Sequence, residues 1–427
     1  MRLISEKATL SGAAAMPASK SHTIRALAFA TLAEGESEII HPLDSADTRA
    51  CVRTCQALGA QVRADHDSWK VQGTGGRIGA AEDVIDVMNS GTTLYIALGM
   101  AALADATNVF TGDEQTRRRS AEPLLRALRD LGAYTESTRN NGCAPIIVRG
   151  PMRGGNTSIA CHTSQYLTSL LISTPLAPRD THIEVTLLNE EPYVHMTLEW
   201  LNRLGIEYSH ERLRQFDIPG RQRYHAFSER MKGDFSSATF FLCAAAITGS
   251  TLILEGLDVN DAQGDKAVAG MLARMGAEVE TVPAGLRIRG RSLRGTDLDL
   301  NSTPDALPAL AIAGCFAEGV TRLLNVPQAR MKETDRISVM REVIESLGGA
   351  AEELPDGLVI RGTGLRGGFA RGHGDHRVVM ACAVAGLAAD RPVEVDTAEA
   401  VSVTFPNFVE LMNSVGARMR LIEQKKP

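Results

Sequence analysis

Leu131-Gly132-Ala133 ends a helix-like run and hands the chain to strand-like sequence. The same pattern returns at Leu58-Gly59-Ala60, Leu204-Gly205-Ile206, Met275-Gly276-Ala277, Leu347-Gly348-Gly349 and Val415-Gly416-Ala417. These glycines recur at intervals of roughly seventy residues, the scale of one supersecondary unit in a repeat architecture. Glycine after a helix supplies the left-handed cap that lets the chain turn into a strand. Strand-like segments follow at Trp69-Lys70-Val71, Ile146-Ile147-Val148, Leu286-Arg287-Ile288 and Leu358-Val359-Ile360. Several close on a glycine turn: Arg149-Gly150, Arg289-Gly290, Arg361-Gly362. The small-residue runs 97–104, 309–317 and 381–389 read as closely packed buried helices. The expected fold class is α/β, in its α+β form, built from six repeated units that lack self-contained cores. Pattern alone leaves open whether the six form one body or divide three and three.

A chain of 427 residues exceeds one ordinary core and predicts two or three domains. A net charge of −6 argues against non-specific nucleic-acid binding, so any basic cluster is local. No apolar run reaches the length of a spanning helix, and the first seven residues, Met1 to Lys7, lack the apolar core of a signal peptide. A cytoplasmic protein with no membrane or nucleic-acid partner is expected. The seven cysteines have no paired metal-site spacing and read as reduced thiols.

Pro17-Ala18-Ser19-Lys20-Ser21-His22-Thr23-Ile24-Arg25 precedes an apolar helix-like run. Lys20, Ser21 and Arg25 at a helix start make either an anion site or a capped helix with exposed cations. Asn89-Ser90-Gly91-Thr92-Thr93 offers amides and hydroxyls before a small-residue helix, and Thr163-Ser164-Gln165 does the same; each is equally a helix cap. Arg119 ends a triplet of cations after Thr111-Gly112-Asp113, and guanidinium binds phosphate as a fork. Tyr193 follows Glu190-Glu191-Pro192 at another amphipathic helix. Met331-Lys332-Glu333-Thr334-Asp335-Arg336 reads by default as a helix surface laced with salt bridges. Its competing reading makes Glu333 a proton-transfer group and Arg336 a carboxylate clamp. In Gly374-Asp375-His376-Arg377, Arg377 suits an anion better than His376 suits a metal, and no metal is expected. Asp305 after Pro304 is an acid at a helix start. Gly362-Thr363-Gly364-Leu365-Arg366-Gly367 matches a dinucleotide fingerprint in letters but does not open a helix, and is discarded. Lys20, Arg25, Arg119, Lys332, Arg336 and Arg377, with few acids nearby in sequence, point to small ligands carrying several negative charges.

In order and spacing these segments resemble the 5-enolpyruvylshikimate-3-phosphate synthase family over essentially the whole chain. Ser-Gln at 164–165, Pro-Tyr at 192–193, Gly-Asp…Ser-Ser at 233–237, Arg-Met-Lys-Glu-Thr-Asp-Arg at 330–336 and Thr-Phe-Pro-Asn-Phe at 404–408 complete the match. The resemblance implies two lobes of three repeats, residues 1–18 with 228–427 and residues 19–227, and an active site in the cleft between them. It places phosphoenolpyruvate against Lys20, Gly91, Arg119, Gln165, Arg336 and Arg377. Shikimate 3-phosphate would lie near Ser21, Arg25, Thr163, Ser164, Gln165, Tyr193, Asp305, Gln328 and Lys332. Asn89 and Thr92 belong to the same substrate-binding set. Glu333 is the expected proton donor, Asp305 or Lys20 manages the acceptor hydroxyl's proton, and His376 is counted with the catalytic residues. No cofactor is implied, and a monomer is expected.

Five positions depart from the family pattern. Tyr95 stands where an Arg is usual, Glu190 where a Ser helps hold the acceptor phosphate, Gln328 where an Asn is usual, Thr163 where a Ser is usual, and Val403 where some members carry Lys. Glu190 keeps two further readings open at this stage. One is a homologue acting on a shikimate-like ring acid without the 3-phosphate, and the other is a non-catalytic anion-binding protein.

Overall fold

The structure, a computed structural model, describes residues 1–423. All six cap glycines of the repeat adopt positive φ, from 70° at Gly205 to 113° at Gly276. A side chain at these turns would be strained, which is why glycine marks each helix-to-strand passage.

Each repeat delivers one four-stranded sheet, and the described residues form six. One of them runs Ile85–Asp86, Thr107–Thr111, Ile146–Arg149, Tyr134–Ser137 in spatial order. Its first pair is parallel and the other two are antiparallel. The sheets beginning at Gly155–Cys161 and at Asp297–Asp299 repeat that arrangement from contiguous sequence. Three sheets instead borrow a strand from far along the chain. Ser11–Ala15 lies parallel to Thr251–Glu255, and Ser228–Arg230 lies parallel to Glu36–Ile40. Arg2–Glu6 inserts antiparallel between Val393–Val395 and Arg418–Ile422. Sheet formation there requires distant segments to meet, at a larger loop-closure cost than a hairpin.

The chain divides into two compact units, Ala18–Met231 and Met1–Pro17 together with the chain from Lys232. Within each, helices of small residues pass through the core. Leu307–Cys315 is buried along its full length, and of Gly91–Ala101 only Thr92 is not buried. They are apolar all round, as helices enclosed by other elements must be.

Gly150 and Gly362 close their strands against the ends of such helices. A Cβ at Gly150 would lie 2.2 Å from the Ala102 carbonyl oxygen, and one at Gly362 would lie 1.5 Å from that of Ala317. No other residue fits that approach. Among the described residues, no helix is long and apolar enough to cross a membrane.

Candidate active site

In the unit Ala18–Met231, Ser19 caps the helix Lys20–Leu32 by accepting from the His22 amide. This puts Lys20 and Ser21 in its first turn and Arg25 one turn on. Lys20 Nζ bonds Asp47 Oδ2 at 3.0 Å, an acid on the next helix, Ala46–Ala57. Arg25 is 1% exposed and its guanidinium is turned inward. Nε donates to Thr197 Oγ1, Nη1 to the Ser21 carbonyl, and Nη2 to Thr168 Oγ1 and the Tyr193 carbonyl. Burial lowers its pKa to about 10, against the influence of Tyr193. Arg25 thus ties three helices together at the point where Ser21 and Tyr193 stand.

Ser90 caps the helix Gly91–Ala101 through the Thr93 amide, with Thr92 in its first turn. The Asn89 amide donates to Asp113 and Gln115 and fixes the loop that carries Arg119. Gly91 makes room for that arginine, since a Cβ there would lie 2.6 Å from Arg119 Nη1. Arg118 is exposed and pairs with Glu114, whereas the Arg117 guanidinium donates to the Gly112 carbonyl. Only Arg119 of the triplet is brought to Gly91. Tyr95 and Tyr166 both donate to the Ser120 carbonyl and meet edge to face, 5.0 Å between centroids. Burial pushes the Tyr95 phenol up to about 12, with the Arg119 charge opposing, so it is a neutral donor.

Thr163 and Ser164 were equally readable as caps, but Ser164 makes no side-chain cap to the helix Gln165–Ser173. Their hydroxyls and the Ser164 amide converge on one oxygen, Glu190 Oε2, at 3.0, 3.0 and 3.2 Å. Gln165 Oε1 is buried with no hydrogen-bond partner.

In the other unit, the charge run at 331–336 is not a helix surface. Pro327–Met331 is a 3-10 turn, Asp335 caps the helix Arg336–Ser346, and Arg336 is its first residue, 0% exposed. Arg336 Nη1 donates to Asp305 Oδ1 at 2.8 Å, Nε to Asp375 Oδ2 at 2.8 Å, and Nη2 to Asp375 Oδ1 at 3.2 Å and to Glu333. Arg377 Nη2 lies 3.1 Å from Asp305 Oδ2 and donates to Ser236 Oγ at 2.9 Å, and that hydroxyl donates to Asp265. Lys332 Nζ stands 3.8 Å from Asp305 Oδ1. One guanidinium therefore holds three carboxylates, and one of those, Asp305, faces three cations.

Burial alone would raise the Asp305 pKa. Arg377, Lys332 and Arg336 overcome it and hold this carboxyl well below the usual range. Burial, then the Asp305 charge, pushes Asp265 up to about 6 against Arg377. His376, the first residue of the helix His376–Gly386, is driven down to about 3 by burial despite Glu333 and Asp375, so its imidazole is neutral. Its Nε2 is buried without a hydrogen-bond partner, as is Gln328 Oε1, whose amide nitrogen donates to the Asn301 carbonyl. Val403 closes the 3-10 turn Ala398–Val403.

The cations have few acids nearby in sequence, and the fold brings distant ones to them. Asp47, Asp305 and Asp375 are distant in sequence from the cations they meet, and Asp47, Asp265, Asp375 and Ser236 were not foreseen in these roles. Asp375 lies inside a motif already singled out, whereas nothing near Asp47 distinguishes it. Among the described residues no three His, Cys, Asp or Glu are grouped to hold a metal ion.

A family model described as EPSP synthase (3-phosphoshikimate 1-carboxyvinyltransferase) matches residues 4–412. A 3-phosphoshikimate 1-carboxyvinyltransferase of Acetivibrio thermocellus is 53% identical over 423 residues, covering 99% of this chain and 100% of the relative. One from Methanocella arvoryzae is 42% identical, covering 97% and 99%. The solved EPSP synthase of Acinetobacter baumannii superposes with a TM-score of 0.81 at 26% identity, over 98% of this chain and all of that one.

Proposed function

This chain belongs to the EPSP synthase family, and from that premise we propose which of its residues carry the reaction. The reaction is transfer of the enolpyruvyl group of phosphoenolpyruvate to the 5-hydroxyl of shikimate 3-phosphate, with release of phosphate. Its place is the shikimate pathway to the aromatic amino acids. The acceptor hydroxyl adds to C2 of the enol phosphate while C3 takes a proton. Phosphate then leaves the tetrahedral intermediate as a proton returns from C3.

Glu333 is the proton donor to C3, and Asp305 or Lys20 takes the hydroxyl proton. The observation that carries this assignment is the Arg336 guanidinium, which holds Asp305 on Nη1 and Glu333 on Nη2. A planar fork fixes the separation of an acid and a base more tightly than two independent side chains would. In the free protein Asp305 is a weak base, held down by three cations. Substrate phosphate and carboxylate groups drawing on Arg377 and Lys332 would weaken that hold and raise its basicity when the hydroxyl is in place.

Lys20, Gly91, Arg119, Gln165, Arg336 and Arg377 are assigned to phosphoenolpyruvate. Ser21, Arg25, Thr163, Ser164, Tyr193, Gln328 and Lys332 are assigned to the acceptor, with Asn89 and Thr92 shaping the loop and helix start beside them. Arg25 and Arg336 both have donors bonded within the protein, so in the free chain each serves by positioning, and a substrate group reaches Arg336 by displacing one of its carboxylates. The unpartnered atoms Gln165 Oε1, Gln328 Oε1 and His376 Nε2 suit groups that bonds from a ligand would complete.

The test is phosphate release by the full chain. Release is expected only when phosphoenolpyruvate and shikimate 3-phosphate are both present, without added metal. Equal release from phosphoenolpyruvate alone, or none with both, overturns the assignment.

A further inference from the structure

We propose that Glu190 determines acceptor specificity. Its carboxylate holds the donors that the acceptor phosphate needs, so the chain admits that phosphate only by displacing an anion of its own. This rests on shikimate 3-phosphate being the acceptor, as assigned above.

Three donors from two consecutive residues point at Glu190 Oε2: Thr163 Oγ1 at 3.0 Å, Ser164 Oγ at 3.0 Å and the Ser164 amide at 3.2 Å. Glu190 is 1% exposed, so its carboxylate is met by groups of the protein and not by solvent. Hydroxyls and an amide converging on one anionic oxygen form the arrangement that also receives a phosphate oxygen. Ser164 directs its hydroxyl here instead of capping its own helix, so the cage is built at the expense of local structure.

The backbone at Glu190 adds a second, independent sign. Its φ of 60° and ψ of 40° place a non-glycine residue in the left-handed region, directly before the helix Glu191–Arg203. Such a conformation persists where surroundings over-determine it and clusters at functional sites. Here it aims the carboxylate into the cage.

A phosphate dianion and a carboxylate cannot share three donors without strong repulsion. Phosphate entry therefore requires Glu190 to turn away, and the phosphate adds less to binding than it would with a neutral residue at 190. An unphosphorylated ring acid carries no such penalty.

The readout is a ratio: the Kd of unphosphorylated shikimate divided by that of shikimate 3-phosphate, by calorimetry on the full chain. General damage to the site largely cancels in it. In Glu190→Ser the ratio is expected to rise about tenfold or more, equivalent to ~1.4 kcal/mol. Glu190→Gln, which keeps the length and loses the charge, is expected to raise it less. An unchanged or lower ratio in both variants overturns the proposal. So does loss of both ligands in variants that keep the wild-type circular dichroism, because Glu190 would then be an attractive part of the site. Wild-type chain that releases no phosphate with shikimate 3-phosphate would instead defeat the acceptor assignment. Turnover with an unmoved ratio defeats only the role of Glu190.

Discussion

Glu333→Gln is expected to lower kcat by about 10²–10⁴-fold, the range for removing a general acid, while KM for either substrate changes far less. The substitution keeps the shape of the side chain and an oxygen able to accept from Arg336 Nη2, so the fork on Asp305 and Asp375 survives. What it removes is the proton. Glu333 is held in place for that transfer, with its side chain only 11% exposed and one of its oxygens fixed by Arg336. Steady-state and single-turnover phosphate release would measure the loss. A kcat within about fivefold of wild type would assign proton delivery to another group.

Arg336→Met is expected to destabilise the protein by about 3–5 kcal/mol, the cost of breaking a buried ion pair from one side, and to abolish turnover. Methionine matches the volume and leaves Asp375, whose side chain is 0% exposed, without its charge partner. Thr334 still donates to Asp375 at 3.0 Å, but a hydroxyl does not replace a charge. Urea unfolding would show the deficit, and its pH dependence identifies the cause.

In the wild type, burial works to raise both Asp305 and Asp375 while the guanidiniums keep both lowered. Their stabilisation is therefore present above the ordinary carboxylate pKa and is lost only as pH falls through the depressed folded values. Without Arg336 burial gains ground, the folded pKa values rise, and protonation relieves the variant. The deficit should be largest near pH 7–8 and should narrow as pH falls toward 5. A deficit independent of pH would mark a packing defect instead.

The repeat was legible because its signal is local. A glycine forced to positive φ by a turn is visible wherever it stands, and Gly59, Gly132, Gly205, Gly276, Gly348 and Gly416 all have that conformation. The borrowed strands were not legible in the pattern, because Ser11–Ala15 reads like any short strand and its partner Thr251–Glu255 lies far along the chain. The site divides the same way. Caps at Ser19 and Ser90 follow from neighbouring residues. The acids that neutralise the cations do not, since Asp305 and Asp375 reach Arg336 across 31 and 39 positions. The run at 331–336 misled for a related reason: charge density suggests an exposed helix face, whereas the Asp335 cap places Arg336 at a buried helix start. Glu190 stood out in sequence as a carboxylate where a phosphate was expected. Its hydroxyl cage appeared only in three dimensions.

The central claim is that Arg119 and Arg377 are each needed to bind phosphoenolpyruvate. The direct measurement is kcat/KM for phosphoenolpyruvate at saturating shikimate 3-phosphate in two single variants, Arg119→Met from one unit and Arg377→Met from the other. Each alone is expected to lose about a hundredfold or more, roughly 2.7 kcal/mol of transition-state stabilisation. Near wild-type kcat/KM in either variant would contradict the claim.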